Sequence, residues 1–164
     1  MVSSALLINV SPLFFTSASS INPPAPTKNP CPSGYTSWYQ NCYKVVETPA
    51  TWDDAEAACQ QEGGNLASID MSYDQFIRNM NYTKYHNIWI GLTRDSSFGW
   101  AWSDNMPVGF LNWAPGEPSA AFHPGDVAEE NCVEMYHDGN WNDNNCLQKR
   151  GFACRHRQCK DFLD

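Results

Sequence analysis

The seven cysteines of this 164-residue chain limit its possible folds more than any other feature. In a domain of this size they predict an oxidising compartment and a framework of disulfide bridges. A zinc site is not indicated, because no two cysteines have the C-x₂-C spacing and the four histidines are scattered. Six of the cysteines admit several pairings, which spacing alone does not resolve. Cys159 is the odd one: it is free, paired with a second chain to form an oligomer, or paired with a part of a longer protein.

Composition divides the chain into four segments. Residues 1–20 contain broken apolar runs followed by small residues, which predict a signal peptide or an unrelated leader. The proline-rich stretch 21–30 is typical of an extended linker. A single folded domain is expected over 31–157, with a short tail over 158–164. No apolar run is long enough for a transmembrane segment. Because the cysteines indicate an oxidising compartment, we expect an extracellular chain, either secreted or part of a cell-surface receptor ectodomain.

The charge and aromatic content narrow the possible functions. A formal net charge of −8 argues against nucleic acid as a partner, because phosphate binding requires clustered Lys and Arg. Seven tryptophans favour a packed module over a disordered one. No motif brings a nucleophile and a base together, so the sequence predicts a binding protein and not an enzyme.

Capping patterns predict two helices. The first begins at Thr51, where Asp54 occupies the third helical position, and ends at Gln61. The second begins at Ser72, where Gln75 completes a capping box. Both helices would bury one apolar face against the rest of the domain.

Short apolar runs between turn residues predict the strands. A hairpin at the start of the domain could be stapled by a Cys31–Cys42 bridge, and His137–Asn140 is a suitable turn for a second hairpin. Met106–Ala128 shows no regular pattern, and a loop of that length inside a compact domain indicates either a functional segment or a wrongly assigned element. The predicted strands are Ile88–Leu92, Trp100–Asp104, Val133–Tyr136, a segment at Trp141, and Phe152–Cys154.

Oxygen-bearing side chains are concentrated between Glu117 and Asp143. Besides these two residues, the stretch contains the carboxylate of Glu130 and the amide of Asn142. A hard cation such as Ca²⁺ requires ligands of this type. Two cysteines bracket the second half, so a bridge between them would hold the loop that carries these oxygens. The residues therefore predict a calcium-dependent binding site.

Several motifs occur in a fixed order along the folded part. They are Cys59, Trp89-Ile90-Gly91-Leu92, Glu117-Pro118-Ser119, Cys132, Trp141-Asn142-Asp143, Cys146 and Cys154. In order, spacing and residue type they resemble the signature of a C-type lectin-like domain over residues 31–157. Two further stretches, 112–118 and 149–152, are similar to one module of a mannose-receptor-type endocytic receptor.

The resemblance implies an α+β fold that has two helices, two small antiparallel sheets and a long calcium-binding loop. It also implies how the cysteines pair, and the first of these bridges marks the longer form of the domain. The implied bridges are Cys31–Cys42, Cys59–Cys154 and Cys132–Cys146.

The resemblance further implies a Ca²⁺ site that also binds sugar. In sugar-binding members a vicinal diol completes the calcium shell, and the proline of the first motif follows a cis peptide bond. A Glu-Pro-Asn motif accompanies mannose-type sugars, and Gln-Pro-Asp accompanies galactose-type sugars. Here Glu117 favours mannose, fucose or N-acetylglucosamine, but Ser119 stands where Asn or Asp is expected and is a weaker ligand. The implied metal-binding and carbohydrate-binding residues are Glu117, Ser119, Glu130, Asn142 and Asp143.

Two functions follow from this departure. The first is a calcium-dependent lectin module whose partners are glycans or glycoproteins. The alternative is a lectin-like domain for protein–protein recognition, in which calcium is absent or only structural. In either case the chain could be a fragment of a larger endocytic receptor.

Two further sites are weaker expectations. Asp95, Glu129 and Asn131 could form a second calcium site, although they could equally be ordinary polar loop residues. Asn81-Tyr82-Thr83 is an N-glycosylation sequon, so Asn81 could carry a glycan.

Overall fold

The computed structural model describes residues 31–71, 77–119 and 129–157. The leader, the proline-rich linker, Cys159 and part of the long loop lie outside these ranges. No helix in the described ranges has the length and apolar content needed to span a membrane.

The described domain begins with a disulfide-stapled hairpin. Strand β1 (Thr36–Trp38) pairs antiparallel with strand β2 (Asn41–Ala50), and the bridge between Cys31 and Cys42 closes the hairpin. This confirms the hairpin and the first bridge that the sequence predicted.

Helix α1 (Trp52–Gln61) begins where the capping pattern predicted. The Thr51 hydroxyl oxygen accepts a hydrogen bond from the Asp54 backbone N–H at 3.3 Å, and the same hydroxyl donates to the Asp54 carboxylate at 2.8 Å. The helix ends just before Gly63, which has a φ of +82° and whose N–H donates to the Gln60 carbonyl. A left-handed glycine is a common helix terminator because it has no side chain to clash.

The remaining strands join β1 and β2 in one eight-stranded sheet. Its order is β1-β2-β8-β4-β6-β7, with β3 paired to β8 and β5 paired to β4. The apolar run predicted as a central strand therefore lies in the middle of the sheet, as β4. These strands are β3 (Asn65–Leu66), β4 (Ile88–Arg94), β5 (Trp100–Trp102), β6 (Cys132–Met135), β7 (Trp141–Asn144) and β8 (Arg150–Arg157).

The structure corrects one detail of the expected architecture. Two small antiparallel sheets were expected, but β4 and β8 pair in parallel and join all strands into one mixed sheet. The parallel contact places Ile88 opposite Gly151 and Trp89 opposite Phe152. The α+β class itself is confirmed.

The second predicted helix lies partly outside the described residues. Residues 72–76, which include the predicted Ser72 cap and Gln75, are not described, and residues 77–79 form a short 3₁₀ turn. In the described part of the chain, α1 is the one α-helix.

The sheet separates two apolar clusters, because successive side chains on a strand point to opposite faces. On β4, Ile88 and Ile90 belong to the larger cluster and Trp89 belongs to the smaller one. The smaller cluster lies beneath α1, where the Trp52 indole N–H donates to the Ile90 carbonyl at 2.8 Å.

The disulfide bridges agree with the pairing that the resemblance implied. The second bridge ties α1 to β8, and the third ties the start of β6 to the residues that follow β7. The three bridges are Cys31–Cys42, Cys59–Cys154 and Cys132–Cys146.

Candidate functional site

The candidate site lies beside β7, the last strand of the sheet. The segment Asn112–Ser119 runs along the outer side of β7. The Trp141 N–H donates to the Asn112 carbonyl and the Ala114 N–H donates to the Trp141 carbonyl, both at 2.8 Å. Two backbone hydrogen bonds therefore fix the start of this segment against the strand that carries Asn142 and Asp143.

The segment then turns at the motif that the sequence singled out. The peptide bond between Glu117 and Pro118 is cis, as the resemblance implied. Gly116, with a φ of +92°, adopts the left-handed conformation that suits glycine. Ser119 follows this turn and lies next to Asp143.

Ser119 connects two carboxylates from different parts of the chain. Its backbone N–H donates to Asp143 Oδ1 at 2.9 Å. Its hydroxyl oxygen lies 3.1 Å from Glu130 Oε2 and 3.4 Å from Asp143 Oδ1. A hydroxyl has one hydrogen, so it can satisfy only one of these two acceptors at a time. Asp143 is buried, with 1% of its surface exposed, whereas Glu130 and Ser119 are exposed.

Glu117 supplies an oxygen atom without a partner. Its Oε2 is buried and accepts no hydrogen bond within the described residues. Buried acceptors are normally satisfied, so an orphaned carboxylate oxygen at this place calls for a ligand or an ordered water.

The acids of the site also affect the pKa of Tyr136. Burial raises the pKa of the Tyr136 phenol, and the carboxylates of Glu134, Glu117, Asp138 and Asp143 raise it further. The phenol is therefore held neutral in a negatively charged part of the domain, where a cation would be attracted.

Asn142 lies on the opposite face of β7 from Asp143. In the β6–β7 ladder Asn142 is directly opposite Glu134, whereas Asp143 is opposite Val133. The Asn142 side-chain nitrogen donates to Glu134 Oε1 at 3.1 Å. The structure thus joins Ser119, Glu130 and Asp143 by hydrogen bonds, while Asn142 is held separately.

Glu134 is a residue that the sequence analysis missed. It is buried, with 2% of its surface exposed, and lies 2.7 Å from the Arg150 guanidinium. Its other oxygen accepts hydrogen bonds from three side-chain amides, those of Asn87, Asn142 and Asn144. The sequence does contain a signal for Glu134. It is an acid within a predicted apolar strand, and pairing the two strands outward from the predicted turn places it opposite Asn142.

The donor atoms fit a hard cation in type. Carboxylate, amide and hydroxyl oxygens are the ligands that Ca²⁺ takes in proteins. In the conformation described, however, residues 31–71, 77–119 and 129–157 contain no group of three His, Cys, Asp or Glu side chains that could hold a metal ion. Glu117 has no hydrogen bond to the Ser119 group, so a cation would have to draw Glu117, Glu130 and Asp143 together.

The residues of the weaker second site make local contacts. The Asp95 carboxylate accepts hydrogen bonds from the backbone of Ser97 and Gly99, both at 2.8 Å, and so holds its own turn. The Asn131 amide donates to Glu129 at 2.9 Å. These contacts account for the polar residues there, and a second calcium site stays a prediction.

Comparison with known proteins identifies the family. The family model described as "Lectin C-type domain" matches residues 48–156, which is most of the described structure. The chain belongs to the C-type lectin domain family. The C-type lectin lectoxin-Lio1 of Erythrolamprus poecilogyrus is 36% identical over 134 residues, covering 76% of this chain and 79% of that protein.

The expected likeness of this C-type lectin domain to a mannose-receptor module is also confirmed. C-type mannose receptor 2 of Mus musculus is 35% identical over 120 residues, which is 70% of this chain but 8% of the receptor. The similarity therefore concerns one small part of that receptor.

Two similar solved structures differ in the ligands that their descriptions name. The cow C-type carbohydrate-recognition domain of CD23, solved in the presence of GlcNAc2Man3 oligosaccharide, has a TM-score of 0.70 and 32% identity, covering 80% of this chain and 99% of that one. A calcium-independent type II antifreeze protein has a TM-score of 0.65 and 31% identity, covering 77% and 94%. C-type lectin domains typically bind calcium, but the antifreeze protein with this fold is calcium-independent.

Proposed function

We propose that this chain is a calcium-dependent carbohydrate-binding module. The observation that carries the proposal is the meeting of Glu130 and Asp143 at the hydroxyl of Ser119, two positions after Glu117, whose buried oxygen has no hydrogen-bond partner among the described residues. Two carboxylates that share one hydroxyl hydrogen repel each other, and a divalent cation between them would turn that repulsion into attraction. The proposed calcium ligands are Glu117, Ser119, Glu130, Asn142 and Asp143.

The proposed sugars are mannose, fucose or N-acetylglucosamine. A bound Ca²⁺ supplies the coordination for two neighbouring sugar hydroxyls. Glu117 is the residue that favours this class, and the oligosaccharide in the CD23 study contains both mannose and N-acetylglucosamine. Ser119 provides a shorter side chain than the Asn of the motif typical of mannose binders, so the calcium affinity is expected at the weak end of the ~10⁻⁴–10⁻³ M range of extracellular modules.

The test is a calcium titration of the full chain, followed by tryptophan fluorescence or calorimetry. Asp143→Asn should abolish calcium binding, because it removes the charge of the buried carboxylate that both Ser119 hydrogen bonds contact. Asp138→Asn is the matched control. Asp138 is an exposed acid of the same hairpin, bonded to Asn140 in its own turn, and should be replaceable without effect.

Sugar binding is then measured with immobilised mannose, in calcium and in chelator. Elution by chelator and by free mannose, but not by free galactose, is the expected result. If the wild-type chain shows no calcium binding at 10 mM, or if Asp143→Asn binds calcium as well as wild type does, the proposal is wrong.

A second candidate is protein recognition without calcium. It is favoured by the Ser119 hydroxyl, which lies between the two carboxylates and can donate to one of them without a cation, and by the similarity to a calcium-independent antifreeze protein. Under this alternative the chain would bind a protein partner equally well in chelator, and no monosaccharide would compete.

We further propose an extracellular location, either secreted or at the cell surface. Three disulfide bridges in one small domain support it, because such bridges form and persist in oxidising compartments. Pairing between chains through Cys159 stays a prediction, since that residue lies outside the described ranges.

A further inference from the structure

Glu134 fixes the orientation of the Asn142 side chain. A carboxylate is only a hydrogen-bond acceptor, so the group of Asn142 that faces Glu134 must be its NH₂. The 3.1 Å bond therefore assigns the amide without ambiguity and turns Oδ1 away from Glu134. The oxygen of Asn142, which is the atom a cation needs, is left available.

Glu134 is itself held rigidly. Its Oε2 lies 2.7 Å from Arg150 Nε, and its Oε1 receives the amides of Asn144 at 3.1 Å and Asn87 at 3.4 Å in addition to Asn142. A buried carboxylate with this many donors cannot turn without losing several hydrogen bonds at once. The acceptor that orients Asn142 thus has a fixed position.

We propose that Glu134 is a positioning residue for the calcium site, acting through Asn142. The proposal rests on the proposed function, because it takes Asn142 to be a ligand. Glu134 does not touch the cation. It holds the Asn142 amide with its nitrogen towards Glu134 and its oxygen free of that contact, so that less free energy is spent on ordering the side chain when the cation binds.

The variant that tests the proposal is Glu134→Met, which keeps the length of the side chain and removes both acceptors. Asn144→Ala is the matched control, because Asn144 donates to the same oxygen over the same distance but is not a proposed ligand. Loss of an outer contact of this kind typically weakens metal binding ~10–100-fold, so Glu134→Met should raise the calcium Kd about tenfold and Asn144→Ala less than about twofold.

A conservative variant separates positioning from stability. Glu134→Gln retains one acceptor oxygen and should recover part of the calcium affinity. It also keeps the test possible if Glu134→Met does not fold. All Kd values are measured well below each variant's melting temperature, where a loss of global stability alone does not change them.

A second readout needs no calcium. The Asn142 side-chain NH₂ signals of the calcium-free protein are followed by ¹⁵N–¹H NMR, and they should shift and exchange faster with solvent in Glu134→Met. If they do not change, the positioning role is refuted whether or not calcium binds. If wild type binds calcium and Glu134→Met binds it equally well, the positioning role fails while the proposed function stands. If wild type binds none, the proposed function fails, and with it any positioning of a calcium ligand.

An independent observation concerns the turn at residues 81–86. Asn81 is exposed, whereas Thr83 is completely buried. The Thr83 hydroxyl lies within hydrogen-bond distance of the backbone carbonyls of Met80, at 2.8 Å, and Ile77, and its one hydrogen is directed to this pair of acceptors. The hydroxyl of the sequon is thus enclosed by the folded turn, while the asparagine side chain remains accessible.

The turn and Glu130 lie at opposite ends of the β4–β6 pair. The turn leads into the start of β4, where Ile88 is opposite Met135, whereas Thr93 at the other end of β4 is opposite Cys132. Glu130 precedes Cys132, so Asn81 is at the opposite end of the β4–β6 pair. A large group attached to Asn81 would therefore be held away from Glu130.

We propose that Asn81 carries an N-linked glycan that is added before the domain folds. The Asn81 nitrogen bonds to the anomeric carbon of an oligosaccharide carried on a lipid diphosphate, loses one proton, and the lipid diphosphate leaves. Addition must precede folding, because the folded turn withdraws the Thr83 hydroxyl that forms part of the acceptor motif.

The test is expression of the full chain in a secreting eukaryotic cell, followed by intact mass measurement with and without an N-glycan amidase. Wild type and Thr83→Ser should lose glycan mass on treatment, and Asn81→Gln should show none. Refolded bacterial protein should be a poor acceptor for microsomal transferase, and the reduced, unfolded chain a good one. A secreted wild-type chain without glycan, or equal modification of folded and unfolded chains, would overturn the proposal.

Discussion

Removal of the Cys132–Cys146 bridge should weaken calcium binding beyond its effect on stability. Cys132 follows Glu130 by two positions and Cys146 follows Asp143 by three, so the bridge anchors both carboxylates that meet at Ser119. The perturbation is the double replacement Cys132→Ala/Cys146→Ala, which leaves no unpaired thiol from this bridge.

The size of the stability effect follows from the loop that the bridge closes. The two cysteines are separated by 14 positions, and in the chain-entropy treatment a loop of this length contributes about 3 kcal/mol. For a domain of this size, such a loss lowers the melting temperature by roughly 6–12 °C. If the segment around Glu130 then has to order one more residue on binding, at about 1–2 kcal/mol, the calcium Kd rises about tenfold.

The Cys31–Cys42 bridge provides the matched control. Its cysteines are separated by 11 positions, so its removal should cost nearly the same stability. It staples the N-terminal hairpin and contacts none of the proposed ligands. Cys31→Ala/Cys42→Ala should therefore melt at a similarly lowered temperature and bind calcium like wild type.

The assay is chemical unfolding of both double variants, together with calcium titration at a temperature where each is fully folded. Equal weakening of calcium binding in the two variants would show that the bridges act only through global stability. Unchanged binding in the Cys132→Ala/Cys146→Ala variant would refute the claim that this bridge pre-orders the site.

Three further outcomes are expected. Ser119→Asn should tighten calcium binding and enlarge the rise in melting temperature on adding calcium, since each tenfold gain in affinity is worth about 1.4 kcal/mol. Gly151→Ala should lower the free energy of unfolding by about 1–3 kcal/mol, because the added methyl would overlap the Tyr82 ring. In a double-mutant cycle, adding Tyr82→Ala to this variant should restore part of the lost stability. The hydrogen bond from Lys44 holds the pKa of Glu62 below its ordinary value of 4.5. This pair therefore stabilises the fold above pH 4.5, and its contribution is lost as the pH falls through the folded pKa. In urea unfolding, Lys44→Met should lose less stability than wild type between pH 6 and pH 3.

The sequence predicted those elements whose cause is local. Thr51 caps α1 because its partner Asp54 is three positions away, and the β6–β7 hairpin forms at the turn residues 137–140 that follow the apolar run of β6. The bridges were implied by a family resemblance and are confirmed, although spacing alone left their pairing open.

The joining of the strands into one sheet could not be predicted in the same way. It depends on the parallel contact of β4 and β8 at Ile88 and Gly151, which are far apart in the sequence. No local pattern marks two apolar strands as parallel neighbours. The packing of Tyr82 against Gly151, which leaves no room for a side chain, is visible only in three dimensions.

The sequence indicates which residue types lie near the candidate site, but not how their side chains are arranged. Oxygen donors were expected to gather around a cation, and two of them, Glu130 and Asp143, lie within hydrogen-bond distance of Ser119; their role as calcium ligands stays a prediction. The side on which each donor lies depends on strand register, because neighbours on β7 face opposite ways. Asn142 therefore meets Glu134, a partner that the linear motif does not contain.

The position of the Asn112–Ser119 segment has a consequence for solubility. A terminal strand offers unpaired backbone groups to strands of other molecules, and β7 is terminal in the sheet order. The segment covers β7 at Trp141 through two backbone hydrogen bonds. Further along, the Ser119 backbone N–H bonds to the Asp143 carboxylate and keeps the segment against the strand. Substitutions that displace this segment to retune ligand binding would also uncover a surface for chain-to-chain strand pairing, so self-association would accompany loss of the site.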